Sequence, residues 1–278
     1  MKTLLAVPLL FLSFCSFGQY YYKDIIGSKE TEQLINTYQA NKVSRVVVNS
    51  YDGDGTRSDD FLVEQFFSSS AKTLTTITRS DVTDTSVLTS YINADGRVIK
   101  TVDSSNNIVS TTNYNYDNNG ILTSIVSTTV DSTHGLTEKE AHLWQYTDGK
   151  AVKMLRIKND KDTTYVTLKL DDKGNIIEES SVRNNQKNQP VYYYYDSKGR
   201  LTDIVRYNNK AKRLLPEYMF EYSPTNQVIQ KITVPANSSD YLIWRYQYND
   251  KGLKTKEAIY NKQKQLTGTV QYQYQLGS

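Results

Sequence analysis

The chain has two histidines, and both fall in one short segment. His134 stands in a loop, and Glu138, Glu140 and His142 follow at alternating positions, so on a strand those three project from one face. Imidazole and carboxylate are the ligand types of zinc and related catalytic metals, which makes 134–142 the candidate segment for a metal-dependent hydrolase. The spacing matches no recognised ligand motif, and an exposed polar strand edge is the plainer reading. A second candidate is the run Asp52, Asp54, Thr56, Ser58 and Asp60, whose oxygen side chains alternate as in a calcium loop. Arg57 stands where an EF-hand requires glycine, and Val63 stands where it requires a bidentate Glu. This run therefore reads as a hairpin turn with solvated acids. Acid–base pairs, a nucleophile elbow and a phosphate loop are missing as recognisable strings. The sequence accordingly assigns no catalytic, cofactor-binding or metal-binding residue, and the expectation is a protein that is not an enzyme and takes no cofactor.

The elements that would position such residues are hairpins. Tyr193 and Tyr195 alternate along one strand, Asp196 opens a turn, Gly199 closes it, and Leu201 starts the return strand. Asp at the first turn position and Gly at the fourth is a type I turn signature, because the carboxylate accepts a local N–H and Gly tolerates positive φ. The pattern recurs at Gly96, Gly120, Gly149, Gly174, Gly199 and Gly252, with Asn226 in the equivalent place between the last two. Before the turns stand the pairs Tyr114/Tyr116, Trp144/Tyr146, Leu168/Leu170, Tyr193/Tyr195, Phe220/Tyr222 and Tyr246/Tyr248. Tyr272/Tyr274 begins a further copy. A fixed period of this size marks a repeat architecture with one hairpin per unit.

Tyr-Asp-x-x-Gly-Arg-Leu at 195–201, Tyr-Asp-x-x-Gly at 116–120 and Tyr-Asn-x-x-Gly at 248–252 resemble the YD repeat, also called the RHS repeat. The resemblance covers residues 91–278 and implies hairpins used as structural shell and surface module. The toxin and protease regions attached to longer members have no counterpart here.

Period two gives the faces. The residues between the paired aromatics are nearly all polar and face solvent. On the return strand, the second residue after the turn glycine (Val98, Leu122, Ala151, Ile176, Leu201, Val228) and the sixth (Val102, Val126, Leu155, Val205, Ile232, Ala258) are apolar. The fourth is polar: Lys100, Ser124, Lys153, Glu178, Asp203, Gln230, Lys256. Either a bulge turns that position outward or the face has a wet groove, and the cost of buried unpaired charge favours the bulge. Val43–Val48, Phe61–Phe67, Leu74–Thr78 and Val87–Ile92 read as further strands. Ser28, Glu30 and Glu32 open one helix near residues 29–40, with Leu34, Ile35 and Tyr38 on one face. The expected fold is all-β: a continuous antiparallel meander of repeated β-hairpins in a curled sheet, apolar face inside, with one short N-terminal helix.

Met1-Lys2-Thr3 followed by an apolar run to Phe17 reads as a secretory signal peptide cleaved before Gln19. Cys15, the only cysteine, lies within it, and Phe14 before it argues against a lipoprotein site. The organisation is thus a signal at 1–18 and one repeat domain at 19–278, made of a helical cap (19–41), divergent hairpins (42–90) and YD-like repeats (91–278). The net charge of +3 argues against nucleic acid as a partner, which would need clustered basic residues. The 23 tyrosines suit a broad sheet and permit stacking on a sugar or protein. The expectation is a secreted or periplasmic, envelope-associated structural or binding module for a protein or glycan, without membrane insertion. An outer-membrane β-barrel is the alternative to that reading. It fits the leader and the strand number, but strands such as Leu74–Arg79 and Val270–Gln275 place Thr, Gln and Tyr where lipid-facing apolar residues are required.

Overall fold

The computed structural model describes residues 20–80, 84–235 and 238–277; the leader, Cys15 and the Gln19 cleavage point lie outside them. Helix α1 (Lys23–Ala40) precedes nineteen strands. The first nine are β1 (Val43–Asp52), β2 (Arg57–Ser68), β3 (Thr73–Ser80), β4 (Asp84–Ile92), β5 (Val98–Ser105), β6 (Ile108–Tyr116), β7 (Leu122–Asp131), β8 (Leu136–Thr147) and β9 (Lys150–Lys158). Then come β10 (Asp162–Leu170), β11 (Ile176–Arg183), β12 (Gln186–Lys187), β13 (Val191–Tyr195), β14 (Leu201–Asn208), β15 (Arg213–Tyr222), β16 (Val228–Thr233), β17 (Leu242–Tyr248), β18 (Lys254–Tyr260) and β19 (Leu266–Leu276).

All pairings are antiparallel and nearly all join chain neighbours, with β12 and β13 sharing one place beside β11. One pairing joins the two ends of the sheet: β1 pairs with β19 as well as with β2, from Val43 opposite Leu276 to Asp52 opposite Gly268. The meander is therefore a closed barrel of eighteen places, not the open curled sheet expected from the sequence. A sheet this wide cannot stay open and flat under strand twist, and closure removes two long edges of unpaired N–H and C=O groups.

The repeated turn is built as its residues dictate. The Gly199 N–H donates to Asp196 O at 3.0 Å, and Asp196 Oδ1 accepts the N–H groups of Lys198 and Arg200 at 2.9 and 3.0 Å. Gly199 has φ 75° and Asn226 has φ 66°, both in the left-handed region. Beside the pair that flanks each repeated turn the register shifts, between Asn115/Tyr116, Lys169/Leu170, Tyr194/Tyr195, Glu221/Tyr222 and Gln247/Tyr248 among others. The bulge sets the fourth residue opposite the exposed residue between the aromatics: Asn115 opposite Ser124, Lys169 opposite Glu178, Tyr194 opposite Asp203, Glu221 opposite Gln230. It also carries the sixth residue outward, against expectation. Val205 lies opposite Tyr192 on the outer face, while Ile204, fully buried, enters the core. The inward place falls to the fifth residue: Thr101, Ile125, Met154, Glu179, Ile204, Lys231 and Glu257.

The second aromatic of each pair ties neighbouring copies together. The hydroxyls of Tyr116, Tyr146, Tyr195, Tyr222, Tyr248 and Tyr274 donate to the carbonyls of Val98, Leu122, Ile176, Leu201, Val228 and Lys254, at 2.6 to 3.0 Å. Each acceptor is the second residue after the preceding copy's turn, so the bond repeats with the unit. Leu170 breaks the series.

α1 touches β2 through Tyr38, the β4–β5 turn through Glu32, β8 through Asp24, the β17–β18 turn through Asn41 and β19 through Tyr38. A helix in contact with strands all round a closed ring lies inside it. The helix thus lies in the lumen instead of covering one end of the sheet, with Asp24, Ile35 and Tyr38 buried against the wall and Glu30, Gln33 and Leu34 exposed. It begins earlier than its sequence signals suggested, and its apolar residues do not gather on one face, as suits an element surrounded by wall. Two apolar clusters flank it. One joins Ile35 and Tyr38 to β1–β7 and β19, and the other joins Tyr20, Tyr21 and Tyr22 to β8–β15.

Candidate functional site in the barrel lumen

The fifth column of the repeat is apolar or neutral in four copies and charged in three, at Glu179, Lys231 and Glu257. Those three face the lumen, and each lies among polar or aromatic groups. Glu179 meets the incoming chain. Its carboxylate accepts the backbone N–H of Tyr21 at 2.9 Å and of Tyr22 at 2.8 Å, and the Tyr193 hydroxyl at 3.0 Å. Tyr22 precedes the first turn of α1 and has no side-chain cap of its own. The wall carboxylate therefore stands in for the missing cap and meets the positive end of the helix dipole. Burial pushes the Glu179 carboxyl pKa up, and the three donors pull it back.

His142 anchors the same end. Its Nδ1 lies 2.6 Å from Asp24 Oδ2 and its Nε2 lies 3.0 Å from Glu140 Oε1. With a carboxylate at each nitrogen both must carry a proton, so the ring is an imidazolium. The neighbouring acids outweigh burial and hold its pKa up at about 9. Glu140 continues the network to Arg156 Nη2 at 2.5 Å, and its carboxyl is held down at about 2 against burial by His142 and Arg156. Arg156 Nη1 stands 3.8 Å from Asp162 Oδ2, which Arg183 Nη2 approaches at 2.5 Å. Charges of alternating sign thus run from α1 across the inner faces of β8, β9, β10 and β11.

The structure separates the residues of the candidate metal segment. Glu140 and His142 share the inner face as alternation predicts, with Glu138 beside Lys158 at 3.2 Å. His134 stands in the exposed β7–β8 turn, its Nδ1 2.7 Å from Asp131 Oδ2. An imidazolium locked between two carboxylates has no lone pair to give a metal. Among the described residues no group of three or more His, Cys, Asp or Glu is arranged to hold an ion. The 52–60 run is a hairpin: Gly55 N–H donates to Asp52 O at 2.9 Å, and Asp54 Oδ1 accepts the Thr56 N–H at 2.9 Å.

Lys231 and Glu257 belong to another sector of the lumen, where β16, β17 and β18 face the middle of α1. Glu257 Oε1 accepts from Lys254 Nζ at 2.8 Å and from the Tyr272 hydroxyl at 2.6 Å. Lys254 Nζ also lies 4.7 Å from the ring centre of Tyr246, and Lys231 Nζ lies 5.5 Å from that of Trp244. Asp24, Glu179 and this sector were missed in the sequence. The charges breaking the fifth column were the available signal for Glu179, Lys231 and Glu257, and nothing local marked Asp24.

No protein-family model matches the chain, and no curated protein matches it in sequence. Solved structures give only loose likenesses. A Photorhabdus luminescens Tc holotoxin pore has 13% identity and a TM-score of 0.35 over 78% of this chain, which spans 12% of the toxin chain. A porin-like protein of Bacteroides uniformis has 11% identity and a TM-score of 0.35, covering 84% of this chain and 98% of its own. Another from Bacteroides vulgatus has 12% identity, the same coverages and a TM-score of 0.20.

Proposed function

We propose that the chain is an exported, non-catalytic binding module of the cell envelope, a rigid plugged barrel that offers its outer face to a protein or glycan partner. The observation that carries this reading is the helix pinned in the lumen at its charged start and at its apolar end. The helix is fixed to the wall at both ends, and the ionisable groups along β8–β11 are spent on holding it. The YD-like character of the repeats supports a structural role over a catalytic one. On the outer face Tyr165 is 63% exposed and Tyr194 is 50% exposed, rings that give rigid contact area or stack on sugars. A pull-down from the native envelope fraction tests this. Wild-type protein is expected to retain a partner that the variant Tyr165→Ala/Tyr194→Ala, melting as wild type does, no longer retains. Capture of nothing specific by the wild type would sink the reading.

Closure itself favours a second reading, a barrel inserted in the outer membrane. The outer surface is mixed. Outward apolar side chains include Val126, Leu155, Val205 and Ile232, and Ile99, Val130, Leu143 and Ile177 are exposed as well. A bilayer needs an apolar band ~25 Å tall. Arg45, Glu64 and Arg79 form ion pairs on the same surface, and Arg245 is exposed there. Washing native membranes with high salt and carbonate should release the protein without detergent. Retention in the membrane until detergent is added would establish the inserted barrel instead.

A further inference from the structure

A second set of hairpins rings the end of the barrel opposite the repeated turns, and charge is divided there by arc. Three adjacent tips, β9–β10, β11–β13 and β14–β15, carry Lys161, Lys187, Lys210, Lys212 and Arg213, all exposed. Among the described residues none of these five makes an ion pair. Asp162 in the same arc is taken up by Arg183 at 2.5 Å, and Asp160 is the one other acid of the three tips. The opposite arc carries Asp52, Asp54, Asp103 and Asp131 at or beside its tips. The net charge of +3 therefore hides a segregation that the topology creates.

The frame under the basic arc is ordered. Asn208 Oδ1 accepts the N–H groups of Lys210 and Ala211 at 3.0 and 2.9 Å, and the Asn188 N–H donates to Ser181 O at 2.9 Å. Neighbouring tips stand two strands apart, roughly 9–10 Å, about the length of a disaccharide. On the outer face Tyr165 lies opposite Val182, and Val182 lies opposite Lys187. The exposed Tyr165 ring and the Lys187 ammonium thus share one row, a surface for stacking beside a cation for pairing. An anionic membrane laid flat on this end would meet the acidic arc as well, and a nucleic acid carries its phosphates at closer intervals.

We propose that the basic arc binds an acidic polysaccharide, a linear glycan bearing carboxylates, which runs along the three tips with a sugar ring on Tyr165 and its carboxylate toward Lys187. The inference deepens the envelope reading and rests on it for the choice of a glycan; defined polymers and purified protein keep its test separate from the native pull-down, which a protein partner could satisfy alone.

Electrophoresis of the purified protein through gels containing polygalacturonate is the test. Saturable retardation is expected, fading as salt rises, with none in neutral dextran. Lys187→Gln/Lys210→Gln/Lys212→Gln should weaken binding at least about tenfold, while Lys100→Gln/Lys251→Gln/Lys256→Gln, which removes equal charge at the other end, should change it less than about twofold. Tyr165→Ala should weaken binding of polygalacturonate but not of polyglutamate, which offers charge without a sugar ring. Melting curves confirm that each variant is folded. No retardation at low salt, equal loss in the two triple variants, or polygalacturonate binding unchanged by Tyr165→Ala overturns the proposal. Tighter binding of oligothymidylate, or of phosphatidylglycerol vesicles, than of polygalacturonate overturns it in favour of a nucleic acid or a membrane.

Discussion

The two ends of the lumenal helix are held by opposite chemistry. At its start, Asp24 meets the His142 imidazolium and Glu179 receives the Tyr21 and Tyr22 amides, with Asp24, His142 and Glu179 all buried. Near its end, Ile35 and Tyr38 are buried among apolar side chains, with the Tyr38 ring 6.3 Å from Phe67 and 6.2 Å from Tyr274. The buried polar contact of the helix there is neutral, Tyr38 Oη donating to Gln65 Oε1 at 2.7 Å. The charged anchor fixes one orientation of the helix, since few wall positions offer an imidazolium and a carboxylate side by side. The apolar anchor supplies stability that tolerates small shifts. Charge at one end gives register and pH sensitivity; packing at the other gives neither.

The largest effect should come from breaking the charged end on one side only. His142→Ala leaves Asp24 as a buried carboxylate without its partner and should cost about 3–5 kcal/mol in denaturant unfolding. Adding Asp24→Asn should recover part of that loss, and no recovery would mean that the pair is not coupled. Ile35→Ala, at the apolar end, should cost somewhat less, about 2–4 kcal/mol, because the helix can settle toward the cavity. A loss equal to that of His142→Ala would erase the proposed contrast.

pH should separate the ends next. The His142 pKa is raised from 6.5 to about 9, so its stabilisation is complete below 6.5 and is lost as pH rises through about 9. A fall on the order of 2 kcal/mol is expected between pH 7 and 10. Ile35→Ala should show the same fall, whereas His142→Ala should lose that component of it. Identical alkaline slopes in the two variants would remove His142 as the cause. Tyr38→Phe should have the smallest effect, about 1 kcal/mol for one neutral hydrogen bond. Tyr195→Phe should behave alike, because its bond to the Ile176 carbonyl is of the same neutral kind.

How much of this could be read from the chain follows the range of each interaction. The hairpins, their turn residues and the inward aromatics are local, and the composition of Tyr193–Leu201 states them outright. The outward turn of Lys100, Lys153 and Glu178 was legible too, because charge in an otherwise apolar column demands a bulge. The same bulge then moved Val102 and Val205 outward, which parity counted from the turn does not anticipate. Closure was not legible, since Val43 and Leu276 carry no mark of each other. Nor was the lumenal helix: it meets the wall through residues spread round its surface and so carries no apolar stripe, and Asp24 finds His142 only through the fold.

Nearly every strand pair joins chain neighbours, but the β1–β19 seam joins the two ends of the sheet, so it is the last to become possible. The loop-closure cost of bringing such distant segments together places the seam late on the route from unfolded chain to barrel. The helix stands before every strand in the chain, so a chain emerging from its N-terminus has it in place while the wall winds round it. Synthesis halted before Leu266 would strand a half-wrapped helix between two open edges, the species most exposed to edge-to-edge aggregation.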